Sequence, residues 1–495
     1  MKLDVLLKGL KYQIQQGSLE KCEISGLCED SRRIKENDLF FCRIGAHTNA
    51  KRYLRQAILG GASAVVCDAY DEENSKLLEN AHVCAIKMEI NEQVQAKLAS
   101  NFYKFPQEKL LLIGVTGTKG KTTVAAMLQK LFFDNGIKSA LVGTNGFFTE
   151  RTFESNAYTT PELFDMYRYM AIAVSEGCSH FIVEASSLAV KQGRLSGLFF
   201  ELGIFTNLHH DHISVSEHSS MKEYAYWKKA FFKSCKNVLL NRDEELSYDI
   251  AAERNVCSWY SVKVPSDGYA ENIQNYQKED GLYQCFIWHW KKYKRKIIMK
   301  LPGTCNVSNA AAALSAFGML TKEWTEEIKT DFSTLEIEGR FQIAGHFHDG
   351  LIVIDYAHNE ISLKNLLETM REYSSGKVIC MFGCGGERSV LRRKAMGKIS
   401  SELADMTIIT QDNPRGEPFE SIASDILSGV NGSCIVIRDR KDAIEYCMER
   451  MDAGDILVLA GKGHETVQKI GSKSIPFSEL DIVREYIRTK GENSD

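Results

Sequence analysis

Apolar runs alternate with amphipathic helical patterns along most of the chain, which predicts an α/β protein. In the first hundred residues the strand candidates are residues 38–42 and 64–67, and residues 53–59 between them have a helical apolar period. We therefore predict a small α/β domain over residues 1–105. Pro106 follows it, and a proline there ends any preceding helix, so we expect a linker at this point.

Two further stretches repeat this pattern. Strand-like apolar runs separated by helical patterns favour a parallel sheet with helices on both faces. The runs in the middle of the chain are residues 110–115, 181–183, 202–205 and 238–240. The runs in the last third are residues 351–354, 378–382, 406–410, 434–437 and 456–459. They predict a central parallel-sheet domain over residues 106–338 and a Rossmann-like domain over residues 339–495.

Residues 283–298 predict a hairpin, because two aromatic-rich strand patterns flank a turn-like basic run at 291–296. Interleaved basic and aromatic residues are also typical of nucleic-acid binding. The aromatic residues lie in the flanking strands and have to pack there. We therefore favour a solvated hairpin and expect no nucleic-acid partner.

Composition narrows the class of protein. The 495 residues are too many for one hydrophobic core, and 44% apolar with 25% charged residues is ordinary for a soluble globular protein. The net charge of −4 gives no case for nucleic acid or an acidic membrane as the partner. The sequence has no apolar run of bilayer length and no secretion signal at its N-terminus, so we expect no membrane partner and a cytoplasmic protein.

The most informative stretch is a candidate phosphate-binding loop between an apolar strand and a helical pattern. Gly117 and Gly120 allow successive backbone N–H groups to face an anion at the helix N-terminus. Lys121 can then reach the β- and γ-phosphates, and the Thr122 hydroxyl can ligate magnesium. Val115 stands where the general P-loop spacing has another glycine, so this is a shortened variant of the motif. The alternative, which we do not favour, is a tight strand-to-helix turn that binds no ligand. The predicted ATP-binding loop consists of Gly117, Thr118, Lys119, Gly120, Lys121, Thr122 and Thr123. With this loop, the central domain over residues 106–338 is predicted to be P-loop ATPase-like.

Glu184 is a second candidate for phosphate chemistry. It stands at the carboxyl end of a buried strand pattern, where α/β sheets place their functional residues. Magnesium prefers hard oxygen ligands, so Glu184 could share an ion with Thr122 and ATP. A glutamate at a strand end is more often a solvated residue or a helix cap, and this residue alone leaves both interpretations open.

The shortened loop and two later stretches together resemble the Mur ligase family. Residues 206–212 read T-N-L-H-H-D-H and residues 221–228 read M-K-E-Y-A-Y-W-K, similar to the family's T-N-L-x-x-D-H and M-x-x-Y-x-x-x-K. The resemblance extends over nearly the whole chain. It implies an amide-forming ligase that uses ATP and Mg²⁺. A substrate carboxylate attacks the γ-phosphate to form an acyl phosphate, and an amine then displaces phosphate.

The resemblance also implies which residues are catalytic and which bind metal. The implied catalytic residues are Lys121, His212 and Lys228, and the implied metal ligands are Thr122, Glu184, His212 and Lys228. Lys228 would be carbamylated, which turns a cation into a carboxylate-like ligand. By itself Lys228 is typical of a surface lysine. The adjacent Lys229 leaves the register open by one residue, and the motif spacing favours Lys228.

Three more motifs resemble family elements around the nucleotide. Residues 302–309 (P-G-T-C-N-V-S-N) resemble the P-G-x-F-N-x-x-N beside the adenine, although Cys305 replaces the aromatic residue. An asparagine pair at this spacing can equally cap the helix that follows. Residues 339–340 (G-R) and 355–358 (D-Y-A-H) resemble elements that close on the phosphates and ribose, or else form an ordinary strand-to-helix turn. The residues implied to contact ATP here are Asn306, Asn309, Arg340, Asp355 and His358.

Residues 412–415 read D-N-P-R, as in the family members that add diaminopimelate, whereas lysine-adding relatives differ at the arginine. meso-Diaminopimelate has a second carboxylate, which a guanidinium such as that of Arg415 binds through two parallel hydrogen bonds. Residues 461–465 (G-K-G-H-E) resemble the rest of this pocket, where Glu465 would bind the far ammonium. An ordinary proline turn is the alternative. The implied diaminopimelate-binding residues are Arg388, Asp412, Asn413, Pro414, Arg415, Gly461 and Glu465.

The acceptor side is less similar to the family. The residues that match positions binding the UDP-muramoyl dipeptide are Ser31, Thr159, Thr160, Ser186, Gln192 and Arg194. However, Leu188 replaces a histidine, Tyr158 precedes T-T-P, and residues 45–51 depart from the usual D-G-H segment. In the last domain Glu387 and Ser389 replace two aspartates that flank the pocket arginine.

The resemblance implies a monomeric ligase that joins meso-diaminopimelate to UDP-N-acetylmuramoyl-L-Ala-D-Glu, so the expected partners are small molecules. Two alternatives stay open. One is a paralogous ligase with the same chemistry and another acceptor or amino acid. The other is a nucleotide-binding protein that has lost ligation and acts by binding a partner. The complete set of implied catalytic and metal-binding residues argues against the second alternative.

Overall fold

The computed structural model describes residues 1–42, 50–70, 72–210, 213, 217–254, 256–278, 281–321, 324–325, 327–387 and 390–491. The chain divides into two compact units. The first unit consists of Met1–Trp259 and Ala316–Lys322, and the second of Tyr260–Ser315 and Glu323–Asp495. The bounds of the three predicted domains stay predictions.

The first sheet confirms the α/β pattern predicted for the N-terminal region. Its strands β1–β5 are Gln13–Gln16, Gly26–Cys28, Asp38–Phe41, Ala64–Cys67 and Cys84–Lys87. The helices α1–α4 are Leu3–Leu6, Leu54–Leu59, Glu72–Ala81 and Glu92–Phe102. The strand order is β1-β5-β4-β3-β2, and within this sheet only the β1–β5 pair is antiparallel. All residues of β3 and β4 are buried, which explains their continuous apolar runs.

The second sheet carries the phosphate loop. Its strands β6–β12 are Leu111–Thr116, Ser139–Gly143, Gly146–Phe148, Phe153–Glu154, His180–Glu184, Phe200–Phe205 and Cys235–Asn241. In the first unit they follow the order β12-β11-β6-β10-β7-β8-β9. The strands from β12 to β7 are parallel, whereas β8 and β9 are antiparallel. Because β6 lies between β10 and β11, the carboxyl ends of these three strands lie side by side.

Five helices accompany this sheet among the described residues of the first unit. Helices α5–α9 are Lys121–Asp134, Leu163–Ser175, Ser187–Lys191, Met221–Phe231 and Glu245–Ala251. Helix α6 packs against the first sheet, since the Phe41 and Phe164 ring centroids are 5.8 Å apart. Arg33 also forms two hydrogen bonds with the Asp165 carboxylate, at 2.9 and 3.1 Å. The N-terminal sheet and α6 therefore share one apolar core.

The predicted hairpin is confirmed, but its turn is shorter than predicted. Strands β13–β16 are Ser258–Ser261, Gly268–Lys278, Gly281–Trp290 and Tyr293–Met299, and helix α10 is Thr304–Thr321. Strands β15 and β16 pair antiparallel, and only Lys291 and Lys292 lie between them. The predicted turn at 291–296 was therefore wrong for its last four residues, which belong to β16. Exposed basic residues alternate there with more buried ones, so a strand period of two explains a run that is turn-like by composition.

The last part of the second unit is the predicted Rossmann-like sheet. Strands β17–β24 are Gln342–Phe347, Gly350–Asp355, Val378–Phe382, Met406–Ile409, Ile435–Val436, Ile456–Ala460, Val467–Ile470 and Lys473–Pro476. Helices α11–α15 are Glu360–Tyr373, Val390–Leu403, Phe419–Leu427, Arg440–Met448 and Glu479–Gly491. The order is β17-β18-β22-β19-β20-β21, and within it only the β17–β18 pair is antiparallel. Strands β23 and β24 form a separate hairpin.

Alternate residues of the central strands face two different apolar clusters. Val458 of β22 belongs to a cluster with residues of α11–α13, and its neighbour Leu457 belongs to a cluster with residues of α14 and α15. Helices therefore cover both faces of this sheet, which explains why its strands are apolar without alternation. Within the part of the chain that the structure describes, no helix combines the length and apolarity needed to cross a bilayer.

Candidate functional site

The glycine-rich loop joins β6 to α5 as predicted. Gly117 and Gly120 have φ values of +153° and +83°. A Cβ atom at Gly117 would lie 1.8 Å from Thr206 Oγ1, so a side chain at this position is excluded. Lys121 Nζ donates to the carbonyl oxygens of Gly117, at 2.8 Å, and Thr118, at 3.0 Å. The ammonium group therefore lies against the loop that is predicted to receive the phosphates.

Thr206 and Asn207, which follow β11, hold the backbone of this loop. Thr206 Oγ1 donates to the carbonyl of Lys119 at 2.6 Å. Asn207 Oδ1 accepts the N–H of Lys119 at 2.8 Å, and the carbonyl of Asn207 accepts the N–H of Thr118 at 2.9 Å. No local pattern predicts this contact, because 88 residues separate Asn207 from Lys119. The side-by-side ends of β6 and β11 bring the two segments together.

Glu184, the last residue of β10, is fully buried beside the loop. Its Oε2 accepts hydrogen bonds from Thr122 Oγ1 at 2.9 Å and Thr144 Oγ1 at 3.2 Å, and its Oε1 accepts the Thr144 N–H at 3.0 Å. Burial raises the pKa of the Glu184 carboxyl, and the nearby charge of Lys121 opposes that rise. Thr159 Oγ1 lies 3.0 Å from Thr144 Oγ1. The carboxylate and hydroxyl that were predicted to share a metal ion therefore lie together.

The donor set around Glu184 fits magnesium. The Thr122 hydroxyl and the Glu184 carboxylate are hard oxygen donors, and Mg²⁺ usually takes one or two such protein ligands together with water and substrate phosphates. Among the described residues there is no cluster of three or more His, Cys, Asp or Glu side chains that could hold a metal ion by itself. A site that shares its ion with a nucleotide is consistent with both observations.

Three of the predicted acceptor-binding residues form a network next to Glu184. Thr160 Oγ1 donates to the Glu184 carbonyl at 2.7 Å and lies 3.1 Å from Ser186 Oγ. Arg194 Nη1 donates to the Thr160 carbonyl at 2.9 Å. The network therefore reaches from the predicted metal site to the start of α6.

Arg194 is 7% exposed and has neighbours of its own. Its Nη2 lies 3.0 Å from Glu162 Oε1, and its guanidinium carbon lies 4.4 Å from the centroid of the Tyr158 ring. Tyr158 is one of the residues by which the chain departs from the family pattern, and its side chain is exposed. A cation stacked on an aromatic ring gains roughly 0.5–2 kcal/mol, so Tyr158 helps to fix the orientation of Arg194.

Thr159 also lies near Glu184, through Thr144, and the other residues predicted to bind the acceptor are Ser31 and Gln192. Ser31 Oγ donates to Gln56 Oε1 at 2.9 Å, within the N-terminal domain. Gln192 directly follows α7 and is half-buried. His212, and Arg388 of the second unit, lie outside the described residues, so their predicted roles stay predictions.

Lys228 lies on α8 and is buried, with 1% of its surface exposed. Its Nζ lies 4.4 Å from the centroid of the Tyr224 ring, and the Tyr224 hydroxyl donates to Thr118 Oγ1 at 3.2 Å. Tyr224 therefore links the helix that carries Lys228 to the phosphate loop. Lys229 instead pairs with Glu253 at 2.8 Å, and 28% of its side chain is exposed.

The second unit contains the residues predicted to close on the nucleotide. Asn306 Nδ2 donates to the Pro302 carbonyl at 2.7 Å, and Asn309 Nδ2 donates to Asn306 Oδ1 at 3.1 Å. Asn306 and Asn309 lie inside α10, and the Asn306 amide donates to a carbonyl instead of accepting a backbone N–H, so these bonds are not those of the alternative helix cap. Both side chains are almost fully buried. Contact with ATP stays a prediction for both.

The G-R and D-Y-A-H motifs meet at the end of β18. Asp355 Oδ2 accepts the N–H of Phe341 at 2.9 Å, and the N–H of Tyr356 donates to the Gly339 carbonyl at 2.9 Å. The Arg340 guanidinium carbon lies 5.0 Å from the centroid of the Tyr356 ring. His358, two residues further on, has its Nδ1 2.7 Å from the Tyr356 carbonyl. The predicted cation and carboxylate therefore belong to one local structure.

The D-N-P-R loop follows β20 and interlocks with the loop after β19. Arg415 has a left-handed φ of +53°, and its Nη1 donates to the Gly386 carbonyl at 2.6 Å. The Gly386 N–H donates to the Asn413 carbonyl at 2.9 Å. A Cβ atom at Gly386 would lie 1.8 Å from the Pro414 carbonyl oxygen, so a side chain would separate the two loops.

The segment after β22 adjoins the D-N-P-R loop within the second unit. Asn413 Nδ2 donates to Glu465 Oε2 at 2.8 Å. Gly461 has a φ of +113°, and a Cβ atom there would lie 3.6 Å from Asp412 Oδ2. Burial raises the pKa of the Asp412 carboxyl, and the charge of Arg440 is the largest opposing influence. The predicted amino-acid-binding residues that the structure describes therefore lie in two adjoining loops.

Several contact residues were not predicted as functional. They are Thr144, Thr206, Asn207, Tyr224 and Lys462. All except Thr144 lie inside motifs that were recognised, and their positions in those motifs were the only available signal. Thr144 lies in no recognised motif, and only the sheet order brings it to Glu184.

Comparisons with known proteins agree with this architecture. Residues 115–317 match the Mur ligase middle domain, and residues 339–463 match the Mur ligase glutamate ligase domain. The UDP-N-acetylmuramoyl-L-alanyl-D-glutamate–2,6-diaminopimelate ligase of Caldanaerobacter subterraneus subsp. tengcongensis is 36% identical over 493 residues, covering 98% of this chain and 99% of that protein. The ligase of the same name from Clostridium tetani is 35% identical over 496 residues, covering 98% and 99%.

Solved structures extend the comparison to the fold. A structure of UDP-N-acetylmuramoyl-L-alanyl-D-glutamate–2,6-diaminopimelate ligase aligns with a TM-score of 0.66 at 25% identity and covers 99% of both chains. The MurF ligase of Thermotoga maritima in complex with ADP shares the fold, with a TM-score of 0.63 at 15% identity over 95% of this chain and 98% of that chain. The chain therefore belongs to the Mur ligase family. It has the three-domain α/β architecture of these ATP-dependent, amide-forming enzymes.

Proposed function

We propose that the chain adds meso-diaminopimelate to UDP-N-acetylmuramoyl-L-Ala-D-Glu, with ATP converted to ADP and phosphate, as a step in the synthesis of peptidoglycan precursors. The observation that carries this proposal is the D-N-P-R loop, whose Asn413 is bonded to Glu465. That arrangement offers a cation and a carboxylate to an amino acid with a charged group at its far end. Relatives named for this reaction cover the full chain at 36% and 35% identity.

The phosphate chemistry would be carried by the loop and by Glu184. Lys121 would turn from the loop carbonyls toward the β- and γ-phosphates. Mg²⁺ would be held by Thr122 and Glu184, and when bound it would offset the charge that gathers where a carboxylate approaches the γ-phosphate. Glu184 is well prepared for this role, because both of its oxygens are already oriented by hydrogen bonds. His212 and Lys228 would complete a second magnesium site, as the family resemblance implies.

The reaction would proceed in two displacements. The acceptor carboxylate oxygen forms a bond to the γ-phosphorus while the bond to the β-phosphate oxygen breaks, which releases ADP. The amine nitrogen of the amino acid then attacks the acyl carbon, the C–O bond to phosphate breaks, and a proton leaves the nitrogen. Thr160, Ser186 and Arg194 would orient the acceptor, since their network begins at the Glu184 carbonyl.

Lys228, rather than Lys229, would carry the carbamate. Lys228 is buried beside Tyr224, whose hydroxyl bonds to Thr118 of the phosphate loop. Lys229 instead pairs with Glu253 and is partly exposed. Incubation with ¹³C-bicarbonate should give a carbamate carbon signal that disappears in Lys228→Ala and persists in Lys229→Ala. Persistence in Lys228→Ala with loss in Lys229→Ala would reverse the assignment.

Phosphate release tests the overall reaction. Purified protein would receive ATP, magnesium and UDP-N-acetylmuramoyl-L-Ala-D-Glu, with meso-diaminopimelate, lysine or no amine. Release only with meso-diaminopimelate is the expected result. Release with another amine or another acceptor would indicate a paralogous ligase, and no release with any combination would indicate a nucleotide-binding protein without ligase activity.

A pair of arginine variants tests the assigned recognition. Arg415→Ala removes the cation expected to bind the second carboxylate, and a charge-assisted interaction of about 1.5–3 kcal/mol corresponds to a rise of roughly 10- to 100-fold in the KM for meso-diaminopimelate. The KM for ATP should change less than twofold. Arg438→Ala is the matched control, because Arg438 is an exposed arginine of the same unit that pairs with Glu420. Equal changes in both KM values for Arg415→Ala would contradict the assignment.

A further inference from the structure

Lys462 is the lysine of the G-K-G-H-E segment that follows β22, and its side chain is completely buried. A buried ammonium is costly unless its donors are bonded and its charge is balanced. With no exposed surface, Lys462 is not placed to bind a substrate directly. Its position must therefore be explained by the protein groups around it.

The three donors of the Lys462 ammonium have three protein partners. Nζ donates to the Val467 carbonyl at 2.8 Å, to Glu465 Oε2 at 3.0 Å and to Asn413 Oδ1 at 3.4 Å. Asp412 Oδ1 lies 3.9 Å away. The ammonium therefore joins the loop after β20 to the segment after β22 and is balanced by two carboxylates.

These bonds fix the orientation of the Asn413 and Glu465 side chains. Asn413 Oδ1 also accepts the Lys469 N–H at 2.9 Å, so Asn413 Nδ2 must point the other way, and it donates to Glu465 Oε2 at 2.8 Å. Both bonds to Glu465 use Oε2, and 28% of the Glu465 side chain is exposed. Neither of these two bonds uses Oε1.

We propose that Lys462 is the positioning residue of the amino-acid pocket: it locks Asn413 and Glu465 together so that one carboxylate oxygen meets the far ammonium of a diamino acid. Without the Lys462 charge, Glu465 would lose the ammonium that bonds its Oε2 and Asp412 would lose the same cation at 3.9 Å, and Glu465 would turn to solvent. The inference rests on the proposed function for the kind of amine, but the bonds themselves do not depend on it.

The test compares KM values in the phosphate-release assay. Lys462→Met keeps an unbranched side chain, one atom shorter, and removes the charge and the donors. It should raise the KM for meso-diaminopimelate at least tenfold and change the KM for ATP less than twofold. Lys462→Gln, which keeps a donor in the buried position, should show the same split with a smaller rise, and it serves as the second variant if Lys462→Met does not fold.

The matched control is Asp455→Asn. Asp455 is 2% exposed and accepts the N–H groups of Lys377 and Asp452, at 2.7 and 3.0 Å, before the opposite end of β22. It should lower the urea midpoint without raising the KM for the amino acid. A double variant, Lys462→Met with Glu465→Gln, should be no worse than the worse single variant, because both changes break the same unit.

The outcomes separate this inference from the proposed function. The role of Lys462 would be overturned if Lys462→Met changed both KM values in parallel or left the KM for the amino acid unchanged. It would also be overturned if the rises in KM of the two single variants multiplied in the double variant. If the wild-type protein releases phosphate only with another amine, the proposed function is wrong. The role of Lys462 is then tested by the same comparison of KM values with that amine. If no amine gives phosphate release, this part of the chain does not receive a substrate amine, and both the proposed function and the role of Lys462 are wrong.

Discussion

The buried ion pair between Arg440 and Glu479 gives a prediction with a distinctive pH dependence. Arg440 begins α14 and Glu479 begins α15, and neither side chain has any exposed surface. Arg440 Nε donates to Glu479 Oε1 at 2.8 Å, and Nη2 donates to the Ala460 carbonyl at 2.8 Å. The pair therefore connects both helices to the end of β22.

Replacing Arg440 by methionine should be strongly destabilising at neutral pH. The change leaves the Glu479 carboxylate buried without its partner, and loss of one member of such a pair typically costs about 3–5 kcal/mol. Glu479 can escape part of this cost by taking up a proton. Lys462 and Asp412 also face Glu479, with opposing effects on its charge, and both remain in the variant.

The sign of the pH dependence follows from the pKa of Glu479. Burial raises this pKa above the ordinary 4.5 of glutamate, and Arg440 is the largest influence that lowers it. Without Arg440 the pKa of Glu479 in the folded state rises further. The folded variant then binds a proton more readily than the unfolded chain, so its stability falls as pH rises above 4.5 and recovers as pH falls. Each unit of added shift corresponds to about 1.4 kcal/mol.

The assay is urea unfolding of wild type and Arg440→Met at pH 5, 6.5 and 8, with each difference taken at one pH so that other groups cancel. The loss of stability should be smallest at pH 5. Glu479→Gln is the contrasting variant, because it leaves a guanidinium that is charged at every pH used, and its loss should not shrink at pH 5. A loss for Arg440→Met below about 1 kcal/mol, or one equal at pH 5 and pH 8, would refute this reasoning.

Three further predictions concern the phosphate loop and its neighbours. In Gly143→Ala, the new Cβ would lie 1.9 Å from Glu184 Oε1, so the carboxylate must move. Magnesium-dependent ATP binding, measured by calorimetry, should weaken at least tenfold. Unchanged binding would exclude a metal role for Glu184. Tyr224→Phe removes the hydrogen bond to Thr118 and should cost about 1 kcal/mol in urea unfolding, whereas no loss would mean that the bond does not form in solution. Asn207→Ala removes the side-chain bonds to the backbone of the phosphate loop and should raise the KM for ATP more than the KM for the amino acid. A larger rise in the KM for the amino acid would contradict the role of Asn207 in holding this loop.

The sequence was most informative where local patterns carry the physical requirement. Buried parallel strands need unbroken apolar runs, so β3, β4 and β19 could be found from the pattern alone. The phosphate loop could be found because its conformation demands glycine at positions 117 and 120 and its chemistry demands Lys121 and Thr122. The turn of the β15–β16 hairpin was misjudged, because basic residues on the exposed face of a strand have the composition of a turn.

Contacts between distant segments were decided by the tertiary structure. Thr144 reaches Glu184 only because β7 and β10 are neighbours in the sheet. Lys228 and Lys229 are adjacent and chemically identical, but they point to different faces of α8, so Lys228 is buried and Lys229 is partly exposed.

The sequence by itself determined the family, the three α/β regions and the positions of the chemical groups, since periodicity, glycine and motif spacing act over a few residues. Only the tertiary structure decided that the buried Lys462 forms hydrogen bonds with Asn413 and Glu465. The partner Asn413 is 49 residues away from it in the chain, and the loop ends that bring them together follow from the strand order of the whole sheet. A hydrogen-bond partner is chosen by position in space, which no local pattern encodes.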